Sequence, residues 1–197
     1  MTFPEQHHVD QLRKDLWHQP GARVSVMIGS GFSRNAHGIA PQTDPMPLSR
    51  DIAAELHKTL YSQSDLPTAG DAVSNSPPRD DLARIAEEYE SFFSPRELHE
   101  RLKSLVRNGE FEPGEAHKRL LRLPWAHIFT TNWDTLLERA SACVQEPAYQ
   151  IVRTAKDLRG TSGLPRIVKL HGSLPDPPLI VSTEDYRKYP TDGRLEK

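Results

Sequence analysis

Three short apolar runs, each ending in small or polar residues, constrain this chain more than any other feature. Residues 24–35 read VSVMIGSGFSRN, residues 128–134 IFTTNWD and residues 167–173 IVKLHGS. A short apolar run bounded by turn formers is the pattern of a strand buried on both faces. Strands of that kind belong to parallel sheets, and open parallel sheets bind ligands beyond the carboxyl ends of their strands. In the first run, Gly29 and Gly31 lack side chains, so the backbone there can turn tightly and come close to a bound group. A helix opening near Phe32 and Ser33 aims its free N–H groups at that turn, an arrangement suited to phosphate.

Helical periods fill the intervals. Val9, Leu12 and Leu16 form one face of a short helix closed by Pro20 and Gly21. Residues 35–47 read as a loop beside the ligand, and Leu48, Ile52, Leu56 and Leu60 then recur every four residues behind Pro47. Residues 62–78, polar and without period, read as a linker. Asp80 and Asp81 open a helix with Leu82, Ile85, Tyr89 and Phe92 on one face. Ser94, Pro95 and Glu97 supply an N-cap, a first-turn proline and a capping-box acid. That helix buries Leu98, Leu102 and Leu105 and stops at Asn108–Gly109; residues 115–123 give another, ended by Pro124. Helices over about 48–123 exceed what one crossover needs and predict a helical insertion.

The second strand is expected at 126–130, followed by a helix that buries Leu137, Ala140 and Val144, with Cys143 beside them. Residues 149–152 and 179–181 read as further strands, the latter weaker. Alternating strands and helices predict an open parallel α/β sheet in one domain spanning residues 1–197. Such a sheet usually has more strands, so either the natural protein is longer or another chain completes it.

Composition removes several functions. With 25 basic and 27 acidic side chains the formal charge is -2, which argues against a nucleic-acid surface over a whole face. Cys143 is the single cysteine, excluding an internal disulfide and a Cys-rich zinc module. No apolar run approaches the roughly 20 residues that cross a bilayer, and the N-terminus is polar and histidine-rich, unlike a signal peptide. The expectation is a cytoplasmic protein with no membrane or direct nucleic-acid partner.

The strand ends carry the chemistry. Arg34 stands where a dinucleotide fingerprint has its third glycine, Asp51 lies at the start of the next helix rather than at a clear ribose position, and no P-loop lysine follows. Thr130, Thr131, Asn132 and Asp134 crowd polar groups beyond the second strand. They are either ligand contacts or helix caps. Of nine histidines, His171 directly follows a strand and precedes Gly172, where its ring can relay a proton near neutral pH. His37, near the glycine turn, is a candidate pocket residue. No histidine cluster has metal-ligand spacing, so no metal is expected. Ser33 lacks the G-x-S-x-G context of a nucleophilic serine.

Gly29-Ser30-Gly31-Phe32-Ser33, Thr130-Thr131-Asn132-Trp133-Asp134 and His171-Gly172-Ser173 resemble, in order, the three signature blocks of the sirtuin-like (SIR2-like) family. The closer likeness is to its bacterial branch of NAD-consuming antiviral proteins. The resemblance implies a Rossmann-like open parallel sheet with helices on both faces and a helical insertion. It implies NAD as substrate, with Gly29, Ser30, Gly31, Phe32 and Ser33 at the pyrophosphate and adjacent ribose, and Thr131 and Gly172 in the same pocket. Asn132 would orient the attacking water, Asp134 support that loop or contact the ribose, and His171 act as general base on the ribose hydroxyls. The protein-deacylating relatives carry a P-D-F-R loop and four zinc cysteines. Residues 36–47 lack the first and the chain lacks the second, which favours NAD hydrolysis to nicotinamide and ADP-ribose. A deacylase or ADP-ribosyltransferase, and a non-catalytic nucleotide-binding or scaffold subunit, are the alternatives. The family's later adenosine-side residues are not found before Lys197. The resemblance further implies a homo-oligomer or a regulatory partner, such as a helicase-like ATPase or a short Argonaute-type protein.

Overall fold

Four short strands lie side by side and all parallel in the order β1 (Val26–Ile28), β4 (His127–Thr130), β6 (Arg166–Lys169) and β5 (Gln150–Val152). The computed structural model describes residues 4–17, 24–61, 81–144, 146–158 and 163–188. Sequence numbering gives the remaining labels: α1 (Gln6–Trp17), α2 (Ser30–Ser33), β2 (His37–Gly38), α3 (Ser49–Tyr61), α4 (Leu82–Phe92), α5 (Pro95–Val106) and β3 (Phe111–Glu112). After these come α6 (Glu115–Leu121), α7 (Leu136–Ala142) and α8 (Thr183–Lys188). A parallel sheet with helices between its strands is the expected Rossmann-like α/β fold. No helix among the described residues is long and apolar enough to cross a membrane.

Register explains the side-chain pattern. Val26, Ile128, Ile167 and Ile151 stand in one row across the sheet. Strand side chains alternate in direction, so the next row but one, Ile28, Thr130 and Lys169, faces the same way. Ile28, Ile128 and Ile167 pack there with Leu16 of α1, Leu121 of α6 and Leu137 and Ala140 of α7. A second cluster lies among α3, α4 and α5, where Ile52, Leu56, Ile85, Leu98 and Leu102 meet Leu179 and Val181.

The helical expectations over 48–61 and 94–106 hold, Ser94 Oγ accepting the Glu97 N–H at 3.1 Å as the N-cap. Asp81 caps α4 through the Arg84 N–H, while Asp80, Pro20, Gly21 and the linker over 62–78 lie outside the described residues. Arg107, with φ 49°, ends α5 one residue before the expected Asn108–Gly109 stop. Three details differ from expectation. In α1 only Leu16 is buried, Val9 and Leu12 being exposed, and Phe92 is exposed on α4. Within the 35–47 loop, β2 pairs antiparallel with β3, two residues a side, too short to leave a period. Residues 179–181 are buried but are not a strand. Ile180 N donates to the His171 carbonyl, and the Val181 and Ser182 N–H groups both donate to Asp185 Oδ2, so the run folds into the cap of α8.

Candidate active site at the strand ends

Beyond β1 the chain enters α2 at Ser30, earlier than expected, and makes a single turn closed by Phe32 N donating to Gly29 O at 2.9 Å. Gly29 has an extended backbone, φ -125°, rather than the left-handed one. A Cβ on Gly29 would make only ordinary contact with Thr131, and one on Gly31 would meet nothing within 4 Å. The glycines therefore leave open space above the turn instead of permitting a special turn geometry. Arg34, in place of the third glycine, pairs at 2.7 Å with Asp51. Asp51 also accepts the Leu48 N–H at the start of α3, a bond that holds its carboxyl below the usual range. That carboxylate caps a helix and is not a ribose acid.

The loop after β4 is tied to this turn by a buried chain of hydrogen bonds. Asn132 Nδ2 donates to Gly29 O at 3.0 Å and to Ser33 Oγ at 2.8 Å, and Ser33 Oγ donates to Asp134 Oδ2 at 2.7 Å. A carbonyl only accepts, so the Gly29 bond fixes which end of the amide is nitrogen. Asn132 Oδ1 is then buried with no partner among the described residues. Asp134 Oδ1 accepts the Leu136 N–H at 3.1 Å. Both oxygens of Asp134 are thus engaged inside the protein, supporting the loop and capping α7. Asn132 caps nothing.

One cavity of about 170 Å³ collects Ser30, Ser33, Thr131, Asn132, Asp134 and His171. Met46, Pro47, Ile52, Leu82 and Val106 give it an apolar wall, and Trp133 and Tyr186 complete it. It is smaller than the roughly 300–1,000 Å³ of a pocket for a drug-sized ligand. No lysine or arginine stands among its described lining residues. Burial pushes the His171 imidazole below its ordinary value of 6.5, favouring the neutral form. Its Nδ1 lies 3.5 Å from the Tyr186 hydroxyl, with the two rings edge to face.

Not every expected contact lines this cavity. Phe32 packs inward, edge-on to the buried His117 at 5.0 Å. His117 is held neutral by burial while its Nδ1 accepts the Gly114 N–H. His37 sits in β2 and is not a lining residue. Gly172 lines a neighbouring cavity of about 270 Å³ with Arg153, Asp157 and Lys169. At φ 81°, with a Cβ position 2.4 Å from Pro178 O, Gly172 is required as glycine by the turn itself. Among the described residues no group of His, Cys, Asp or Glu is placed to hold a metal ion.

Sequence reasoning passed over Lys169. Its Nζ lies buried 3.2 Å from Glu138 Oε1 and donates to the Asp134 carbonyl, while Ser173 Oγ donates to the same Glu138 oxygen at 3.2 Å. The pair joins the loop bearing Asn132 to the loop bearing His171. Its signal was a lone cation inside an apolar strand, where a buried partner is obligatory. Just beyond α5, Asn108 reaches Thr135 through both ends of its amide, at 2.8 and 3.1 Å.

No curated protein matches the chain in sequence. Residues 126–197 match the family model of the SIR2-like domain, a span that includes Asn132, Asp134, His171 and Gly172, and the match supports a SIR2-like assignment for that part of the chain.

Proposed function

We propose that this chain is an NAD glycohydrolase that cleaves NAD to nicotinamide and ADP-ribose. A SIR2-like domain fits an NAD-utilising enzyme. The observation that carries the finer reading is the buried, unpartnered Asn132 Oδ1 in one cavity with His171. The cavity accepts the nicotinamide-ribose end, and the pyrophosphate runs out over Gly31, where even an added Cβ would meet nothing within 4 Å.

The bond from the ribose C1′ to nicotinamide is weak because its electron pair returns to a cationic ring, which leaves neutral. The protein must place water in line and stabilise the cationic sugar centre. Asn132 Oδ1 accepts one water proton and so aims the water's lone pair. Its Nδ2, already bound to Gly29 and Ser33, holds that oxygen still. As water adds to C1′, the released proton passes through the ribose hydroxyls to His171, neutral because it is buried.

The same reading makes the protein an effector of prokaryotic antiviral defence. NAD destruction must be restrained in a healthy cell, so a homo-oligomer or a regulatory partner, such as a helicase-like ATPase or a short Argonaute-type protein, controls it. The test is nicotinamide release from NAD without any acyl-lysine peptide. Asn132→Ala and His171→Ala are each expected to abolish it, and near-full turnover by either would refute that residue's role.

A further inference from the structure

The chain that leaves the site at His171 comes back to it. The His171 carbonyl accepts the Ile180 N–H at 3.1 Å, and Asp185 Oδ2 takes the Val181 and Ser182 N–H groups at 3.0 Å each. The Tyr186 N–H donates to the Ser182 carbonyl at 3.2 Å, so α8 opens against the site. Its Tyr186 meets the imidazole of His171, Oη 3.5 Å from Nδ1 and the rings edge to face at 5.2 Å, and both side chains line the cavity. The scheme above gives Tyr186 no task.

That contact decides which nitrogen of His171 can act. Nε2 has no hydrogen-bond partner among the described residues, while Nδ1 has the phenol. A neutral imidazole carries one proton, and a base must turn its bare nitrogen to the substrate. With Nδ1 against Tyr186, the bare nitrogen is Nε2 and Nδ1–H donates to Oη. Tyr186 is 45 % exposed, so its own O–H has water as acceptor and Oη is free to accept. Burial and the neighbouring Asp185 push the phenol above its ordinary value of 10, which keeps it neutral. We propose that Tyr186 is the positioning residue of His171, accepting Nδ1–H so that Nε2 is the nitrogen that takes the ribose proton. Once Nε2 holds that proton, the Nδ1–H bond to Oη becomes charge-assisted and stronger. Its length of 3.5 Å is that of a catalytic bond before substrate draws it in. The assignment rests on His171 being the base of the hydrolase reading.

Tyr186→Phe keeps the edge-to-face ring and deletes the oxygen. In the full chain, kcat for nicotinamide release from NAD should fall about ten- to a hundredfold, the worth of one charge-assisted hydrogen bond, with KM unchanged. Nitrogen NMR of the imidazoles above pH 6.5, where His171 is neutral, reads the tautomer directly, its signals being those absent from His171→Gln. The wild type should show Nδ1 protonated, and Tyr186→Phe should shift toward the Nε2–H form. A kcat within twofold of wild type, a loss confined to KM, or a wild-type spectrum with Nε2 protonated each overturns the assignment and leaves the hydrolase reading standing. The last of these holds whether or not the variant folds. If the wild type leaves NAD whole, the hydrolase reading falls, and the spectra alone decide whether Tyr186 sets the tautomer: a shift in the variant supports it, and the same tautomer in both overturns it.

Discussion

Ser33→Ala tests whether the turn after β1 and the loop after β4 act as one unit. The Ser33 side chain is 3 % exposed, and its hydroxyl both accepts from Asn132 Nδ2 at 2.8 Å and donates to Asp134 Oδ2 at 2.7 Å. The first bond is neutral and contributes about 0.5–1.5 kcal/mol; the second ends on a buried carboxylate and contributes about 1.5–3 kcal/mol. Alanine removes both and leaves a single oxygen-sized gap, so a loss of about 2–4 kcal/mol is expected. Urea unfolding of the full chain, extrapolated linearly to water, measures it. Nicotinamide release should fall mainly through kcat, because Asn132 keeps Oδ1 but loses one of its two tethers. A stability change below about 0.5 kcal/mol, the range of an unremarkable surface substitution, would refute the bridge.

Three other outcomes follow from the buried titratable groups. His171 is lowered from 6.5 by burial, so nicotinamide release should be flat through neutral pH and fall as acid protonates the ring, with a midpoint below 6.5; a midpoint above 6.5 would contradict a buried neutral base. His117 and His127 are lowered for the same reason, so the unfolded chain takes up more protons, and the stability they contribute is present above pH 6.5 and lost as pH falls through their folded-state values. Lys169→Met removes the ammonium buried against Glu138 and leaves that carboxylate with Arg153 at 3.9 Å and the Ser173 hydroxyl. The cost in urea unfolding should therefore stay below the roughly 3–5 kcal/mol of an uncompensated buried charge, with Lys169→Met/Glu138→Gln less destabilised than the single change.

The strand ends were legible because an apolar run closing on polar residues is a local pattern. Helical faces such as Ile52, Leu56 and Leu60 were legible through their period. What stayed hidden depends on distance in space. The bond from Asn132 to Gly29 spans 103 residues, and nothing in either segment announces it. The apolar run over 179–181 misled because strand propensity says nothing of where its N–H groups go, and here Asp185 takes two of them. Asp134 illustrates the same limit. Sequence left it open between loop support and ribose contact, and the Ser33 and Leu136 partners of its two oxygens favour loop support.

The open acceptor on Asn132 is informative because the donor groups of that residue are paired. Its backbone N–H donates to Thr130 Oγ1, and its side-chain nitrogen has two acceptors. The following residues are braced by α7 through Asp134, by Asn108 beyond α5, by the 171–174 loop through Leu174 and by β6 through Lys169. Were Asn132 only a helix cap, Oδ1 would take a first-turn N–H, but Asp134 already takes the one from Leu136. Leaving a buried carbonyl oxygen unpaired costs about 1–3 kcal/mol, and the side chain could relieve that only by breaking bonds to Gly29 and Ser33. The fold thus holds an unpaired acceptor at fixed position on a residue that lines the cavity at the strand ends, so that a small side-chain shift would present it to a water there.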